Sequence, residues 1–460
     1  MAIENTPLST CNVSTPSTIS LPDTETSKPV LLEPYHVDLL PEYGYLSQEF
    51  LISGVAHGES FCTRLLLRRP ADISKFSGFV VEEPSHLWGG TSIWRHINRW
   101  LMRNEFLEGH AWLEVDSQAP SAIGKIKNVD PERYEQMHFI AGPTSDEFAE
   151  NIPFVTDVSK ETLTETYNAF KAKWWPATLQ SPEILAAASY ALRSGQLGIK
   201  ADWVVLSGLS QTGGVTRRFI THWSHLRLPD GSYPFEGYIP CQSGGAALPD
   251  CASAKIIELL GESEFPSVRL PCGVSGQVDG ISHRRPDSDG FRLYEIAGMA
   301  HRESRYASAI DLKRWSVADL KGAKWSTFAN SFIYHAVFDS MFKWVSGNML
   351  PPASSYIEVI GETDEIKRDD HGNAMGGVRT LHTDAPLSRL VAATPKGRPN
   401  WYWGSEWTFT EDKLRSIYGS IESYRLQAGA AISNQVHSGF LLAADAEVLR
   451  RETVEMVSFS

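Results

Sequence analysis

The sequence predicts an α/β fold: a mixed, mostly parallel sheet with helices on both faces. Three observations point there. Short segments rich in β-branched and aromatic residues recur along the chain, the first ones in close succession as in hairpins. Later ones alternate with helical patterns, and parallel strands need such crossovers. The composition of the 460 residues, 42% hydrophobic and 21% charged, is that of an ordinary globular protein.

In chain order, residues 1–28 are rich in Ser, Thr and Pro without apolar periodicity and read as a disordered N-terminal tail. Strands are then expected at Ser47–Val55, Phe61–Arg68, Gly78–Glu82 and His110–Val115. Four more follow at Trp203–Leu206, Phe235–Ile239, Val268–Val274 and Phe291–Ile296. Helical patterns cover Ile93–Phe106, Lys160–Trp174, Pro182–Gly195, Thr327–Val345 and much of Glu411–Arg451. A Gly/Pro-rich stretch separates the last two. Residues 29–460 thus form one domain around an eight-stranded sheet. The stretches 119–200 and 302–460 exceed what the sheet needs and are expected to form a lid.

Charge and targeting signals narrow the function classes. With 42 Lys and Arg against 55 Asp and Glu, the net charge of −13 disfavours nucleic acid as a partner. No apolar run is long enough to span a bilayer, so no membrane association is expected. The opening MAIENTPLST has neither a basic region nor an apolar one, which suggests no secretion and a cytoplasmic location. Five cysteines at unpaired spacings read as buried free thiols, with a Cys241–Cys251 bridge as the lesser alternative. No metal-ligand cluster stands out, and no cofactor is expected. Homodimerisation is left open.

The chemistry concentrates in Val204–Gly214, VVLSGLSQTGG. An apolar strand runs through Gly208-Leu209-Ser210 into a helical pattern. That is the setting of a nucleophile elbow, where a tight strand-to-helix turn lifts a serine above the sheet edge. Two later residues complete a triad. Asp279 follows the seventh expected strand, and His301 follows the eighth in the small-residue loop Ala297-Gly298-Met299-Ala300. A serine becomes a useful nucleophile once an imidazole takes its proton and a carboxylate orients the imidazole. The order Ser210, Asp279, His301 is that of α/β-hydrolases. Competing residues are weaker: Asp287 and Asp289 lie in a charged turn, Glu295 lies inside a strand, and His86 and His371 lack a post-strand setting. The oxyanion hole is expected from the N–H of Gln211 and one donor in Glu83–Gly90. Pro84 has no N–H, so Ser85 is the nearest candidate.

Separated stretches also resemble one known family, the "alpha/beta hydrolase domain" group. They are Tyr43–Ala56, Cys62–Glu82, Asp130–Tyr134 (DPERY), Gly208–Gly214 (GLSQTGG), Phe291–His301 and Asp370–Arg379 (DHGNAMGGVR). The resemblance covers about residues 43–460. It implies the α/β-hydrolase fold with Ser210 as nucleophile and His301 as base, and makes Thr212, where the usual elbow has glycine, a family trait. The family's Glu-x-Asp after the seventh strand would fall on Gln277 and Asp279. The loop Pro84-Ser85-His86 differs from the Leu-Asn pair of relatives.

The function expected is cleavage of an uncharged, fairly apolar carboxylic ester or lactone through an acyl-enzyme, with a small molecule as the partner. His86, Trp88, Trp174 and Trp403 are expected to line the substrate site, because the chain is dense in large rings. Acyl transfer, or C–C cleavage or elimination, on the same fold is one alternative. A binding protein with a vestigial site is another.

Overall fold

The computed structural model describes residues 12–32, 39–87, 90–102, 109–140, 178–265, 280–305, 307, 312, 322–361, 365–392 and 402–459. They belong to two compact units. The first runs to Tyr238 and includes Cys251–Ala254, and the second comprises Ile239–Asp250 and the chain from Lys255.

In the first unit the strands are β1 (Ser17–Leu21), β2 (Tyr45–Ala56), β3 (Glu59–Pro70), β4 (Phe79–Pro84), β5 (Ala111–Val115) and β6 (Trp203–Leu209). They stand side by side in the order β1-β2-β3-β5-β4-β6. Pairing is antiparallel from β1 through β3 to β5. It is parallel where β4 lies between β5 and β6. The β2–β3 hairpin closes through His57-Gly58, both at positive φ (52° and 77°), the backbone of the turn that matches strand twist. Every residue of β4 and β5 is buried, as expected of strands covered on both faces. Helix α1 (Ile93–Met102) follows β4, α2 (Ser181–Arg193) precedes β6, and α3 (Gln211–Arg218) follows it.

Two expectations change here. Residues 17–21 of the supposed tail form β1, paired with β2 from Ser17↔Ser53 to Leu21↔Glu49. An exposed edge strand is held by main-chain pairing, so STISL shows no apolar pattern. The DPERY segment secures the chain just beyond β1: Arg133 donates to Pro22 O (3.0 Å), Ser27 O (3.1 Å) and Glu49 (2.6 Å). The Val30 N–H donates to Tyr134 Oη at 3.0 Å. Within the segment expected to form a lid, α2 is largely buried and packs on β2, so it covers the sheet. The lid helix expected at 160–174 lies outside the described residues, as does Trp174.

Beneath β2 and β3 sits a buried charge cluster. Arg64, fully inaccessible, donates to Glu49 (3.2 Å), Asp116 (2.6 Å) and Glu114. Such a group is tolerable in the interior because the charges are paired and hydrogen-bonded.

Strand β7 (Gly237–Cys241) carries the chain into the second unit. There β8 (Lys255–Gly261) pairs parallel with β9 (Phe291–Ile296). The sequence missed β8 and placed a strand at 268–274, outside the described residues. After β9 come β10 (Lys324–Trp325), α4 (Asn330–Gly347), β11 (Ser388–Val391) and β12 (Ser405–Thr408). The three short strands form an antiparallel sheet of their own in the order β10-β12-β11. The long helical region at the end divides into α5 (Glu411–Tyr418), α6 (Ile421–His437) and α7 (Ala443–Leu449). Gly419 at φ 76° ends α5, and the Ser420 hydroxyl caps α6. Phe332, Tyr424, Ile432 and Leu449 share an apolar core, and a His335–Asp445 pair at 2.7 Å ties α4 to α7. No described helix is long and apolar enough to cross a membrane.

Candidate active site

In the first unit, β6 ends in a turn that only particular residues can make. Ser210 has φ 63° and ψ −118°, a backbone state costly for a residue with a side chain. A Cβ on Gly208 would lie 2.3 Å from the Thr212 carbonyl oxygen, so strand and helix approach too closely for any other residue. The Thr212 hydroxyl donates to Leu209 O and accepts from Leu209 N–H, both at 2.9 Å. A threonine where glycine is usual therefore closes the turn. Helix α3 begins at once, with Gly214 N–H donating to Ser210 O at 2.9 Å. As the first helical residue, Gln211 has an N–H without an intrahelical acceptor. This is the setting of a nucleophile elbow, a half-buried serine beside a main-chain donor.

The loop after β4 corrects the expected second donor. The parallel pairing reaches Pro84↔Val115, and Ser85 N–H continues it by donating to Val115 O at 2.9 Å. Ser85 is buried and its N–H is spent in the sheet. His86, half-buried, donates its N–H to Gly90 O at 2.9 Å. The Leu87 N–H faces α3, donating to the Gln211 side-chain oxygen at 3.2 Å. Glu83 fixes this loop. Its carboxylate accepts from the N–H groups of Ser92 (2.6 Å), Ile93 (2.8 Å) and Trp94 (3.0 Å) at the start of α1, and from Trp112 Nε1 (3.1 Å). Burial nevertheless pushes its carboxyl pKa up to about 7. Trp88 lies outside the described residues.

In the second unit, His301 stands in the loop after β9, as expected. Its Nδ1 lies 2.9 Å from Glu264 Oε1, and both side chains are 3% exposed. Asp279, the expected partner, lies outside the described residues, and the carboxylate at Nδ1 is Glu264. Glu264 follows β8, the strand the sequence missed, and the Glu-x-acid triplet after that strand is Glu262-Ser263-Glu264. The Ser263 hydroxyl stands 3.0 Å from Glu264 Oε1 and 3.2 Å from the Gln242 side-chain oxygen, within reach of either acceptor.

The His301 loop is held on both sides. Gly298 N–H donates to Glu262 at 2.9 Å, and Asn330 Nδ2 donates to Ala300 O at 2.9 Å. A Cβ on Gly261 would lie 2.7 Å from Met299 O. Tyr402 packs on the imidazole with ring centroids 5.7 Å apart, and Trp403, 1% exposed, stands edge-on behind Tyr402 at 4.8 Å. Trp403 thus backs the ring that touches His301. Sequence reasoning missed Glu264, Leu87 and Gln118, whose amide pairs with that of Gln211. The IIELLG run before Glu262 was the available signal for the first, while Leu87 acts through its main chain and carries none.

No three or more His, Cys, Asp or Glu side chains converge on a metal position among the described residues. The family model described as "Alpha/beta hydrolase domain" matches residues 13–451. No protein of curated function matches the chain. Among solved structures, a protein described as a dienelactone hydrolase from Klebsiella pneumoniae is similar at 11% identity and TM-score 0.29, over 55% of this chain and 85% of that one. A thermostable esterase from Pseudomonas putida matches at 12% identity and TM-score 0.22, over 45% of this chain and 47% of its own. A variant of the rice cell wall degrading esterase LipA from Xanthomonas oryzae matches at 13% identity and TM-score 0.22, over 43% and 42%. The chain thus spans less than half the length of the two esterases.

Proposed function

The chain belongs to the alpha/beta hydrolase domain family, and from that premise we propose that it is a serine hydrolase cleaving an uncharged, apolar carboxylic ester or lactone. The observation that carries the reading is the strained Ser210 at the head of α3, above a glycine that no other residue can replace. Backbone strain of this kind persists where the surrounding structure enforces it, and function is the usual reason.

In the proposed reaction Ser210 Oγ attacks the carbonyl carbon while His301 Nε2 takes its proton. Glu264, at the other ring nitrogen, holds the tautomer and stabilises the imidazolium. The Gln211 N–H supports the oxyanion. Collapse breaks the C–O bond, the leaving alcohol or ring oxygen takes the proton from His301, and water then releases the acyl group by the same steps. Tyr402, packed on His301, puts an aromatic surface beside a proposed reacting group, which supports an apolar substrate.

The test is labelling with a fluorophosphonate followed by peptide mapping. The serine oxygen displaces fluoride at phosphorus, so labelling needs an activated nucleophile. The expected result is one modified peptide containing Ser210, lost in Ser210→Ala together with ester turnover. An unlabelled Ser210 in a folded protein, or turnover in Ser210→Ala within about tenfold of the parent, would refute the assignment.

A further inference from the structure

The expected oxyanion donor after β4 is engaged in an unusual way. Leu87 N–H donates to the side-chain oxygen of Gln211, the residue whose own main-chain N–H is the first donor of the proposed hole. That side chain is held by Gln118, a fully buried residue just past β5. Gln211 Nε2 donates to Gln118 Oε1 at 2.9 Å, and Gln118 Nε2 lies 3.3 Å from Gln211 Oε1 and donates to Ser85 O at 2.8 Å. The two amides therefore form a reciprocal pair, anchored to the end of β4 and capped on Leu87. Among the described residues of this loop, the N–H groups of Ser85 and His86 are spent on Val115 O and Gly90 O, whereas that of Leu87 bonds a side chain able to swing away.

Resting on the serine-hydrolase reading, we propose that Leu87 N–H is the second oxyanion donor, masked in the resting protein by the Gln211 side chain, and that Gln118 is the positioning residue that keeps the mask in place. The selectivity of such a device follows from hydrogen-bond strength. An ester carbonyl competes with the Gln211 amide oxygen on about equal terms. An oxyanion accepts a charge-assisted bond, roughly twice as strong as a neutral one. The donor passes to the reacting oxygen as charge develops, so the contact favours the transition state over the bound substrate. Displacement costs the Gln211 contacts, which is where Gln118 acts.

The test follows fluorophosphonate labelling of Ser210 in the full chain and in Gln118→Leu, Gln211→Met and the double variant. Gln211→Met keeps the main-chain donor and removes only the masking oxygen. Loss of one or two neutral hydrogen bonds predicts labelling roughly threefold to tenfold faster in either single variant. The double variant should be no faster than Gln211→Met, because Gln118 acts only through Gln211. A merely structural role for Gln118 predicts a lower melting temperature and slower labelling that adds to the effect of Gln211→Met. Unchanged or slower labelling in Gln211→Met overturns the proposal even if Gln118→Leu does not fold. Wild-type labelling at Ser210 with no effect of either variant refutes the mask alone, whereas no labelling at Ser210 in any form refutes the serine reading as well.

Discussion

Replacing Glu264 with glutamine separates the resting role of this carboxylate from its role during turnover. In the resting protein its Oε1 lies 2.9 Å from a buried imidazole nitrogen and 3.0 Å from the Ser263 hydroxyl. The amide oxygen of a glutamine can accept from both, so the loss of stability should stay near 1 kcal/mol. During turnover His301 becomes a cation. With charge centres about 4 Å apart and an effective dielectric constant near 20, the carboxylate stabilises that cation by about 4 kcal/mol. Glu264→Gln should therefore slow acylation roughly 10³-fold while shifting the melting temperature by only a few degrees. Single-turnover hydrolysis of a chromogenic aryl ester, run beside thermal melts, measures both quantities. Asp279→Asn is the matched control and should remain within about threefold of wild type. A drop in Asp279→Asn, with Glu264→Gln within tenfold of the parent, would show that the Glu264–His301 contact is structural and that the acid is the residue the sequence first suggested.

Three further outcomes follow from the geometry. Ser210→Gly should abolish turnover yet raise the melting temperature, because glycine relieves a φ of 63° costing 1–3 kcal/mol and returns about 1 kcal/mol as chain entropy; a lower melting temperature would refute the strain argument. Arg64→Leu should destabilise the fold by about 3–5 kcal/mol, since it removes the buried cation shared by Glu114, Asp116 and Glu49 and leaves Glu49 paired only with Arg133 among the described residues, and urea titration reads the loss directly. His110, fully buried between Phe79 and Trp100, has its pKa lowered to about 3 by burial. Its contribution is complete above pH about 6.5, where the unfolded imidazole is neutral, and is lost as pH falls toward 3 while only the unfolded state takes up the proton. His110→Asn should therefore flatten the acid limb of the stability–pH curve, and an unchanged slope would show that the imidazole is protonated in the fold.

How far the sequence could be read depended on whether a feature is local. The Ser210 turn is carried by seven consecutive residues, and Gly208 and Thr212 act on atoms within that segment, so the pattern announces it. His301 was found the same way, from a strand and a small-residue loop. Glu264 was not, because β8 reads KIIELLG, with a carboxylate at its centre. Glu258 is fully buried there only because His283, 25 residues on, meets it at 2.9 Å. A strand whose charge is compensated by a distant residue looks amphipathic and helical, while VRLPCGV further along has the better β composition. Missing β8 put the expected acid at Asp279, 15 residues beyond the Glu264 that meets His301. The β1 edge strand was hidden for the complementary reason: main-chain pairing holds it, and Arg133, more than 100 residues away, holds the chain just beyond it.

The same distinction explains the family-like DHGNAMGGVR stretch, which contains titratable residues but belongs to the support of the site. Asn373 donates to Ser388 O at 3.1 Å and accepts from Leu390 N–H at 2.7 Å, joining the stretch to β11. Gly377 passes so close to β9 that a Cβ would lie 2.5 Å from Glu295 O, and the next N–H, of Val378, donates to that same oxygen at 2.8 Å. Arg368, just before the stretch, meets Glu262 at 2.8 Å, and Glu262 also accepts from Gly298 N–H. The strand that ends at Ile296 and the loop that presents His301 are thereby fixed from two sides. Preorganisation of the proposed general base within about half an ångström needs such bracing. The requirement for glycine at 377 and asparagine at 373 is therefore mechanical, and the chemical assignment rests on Ser210, His301 and Glu264.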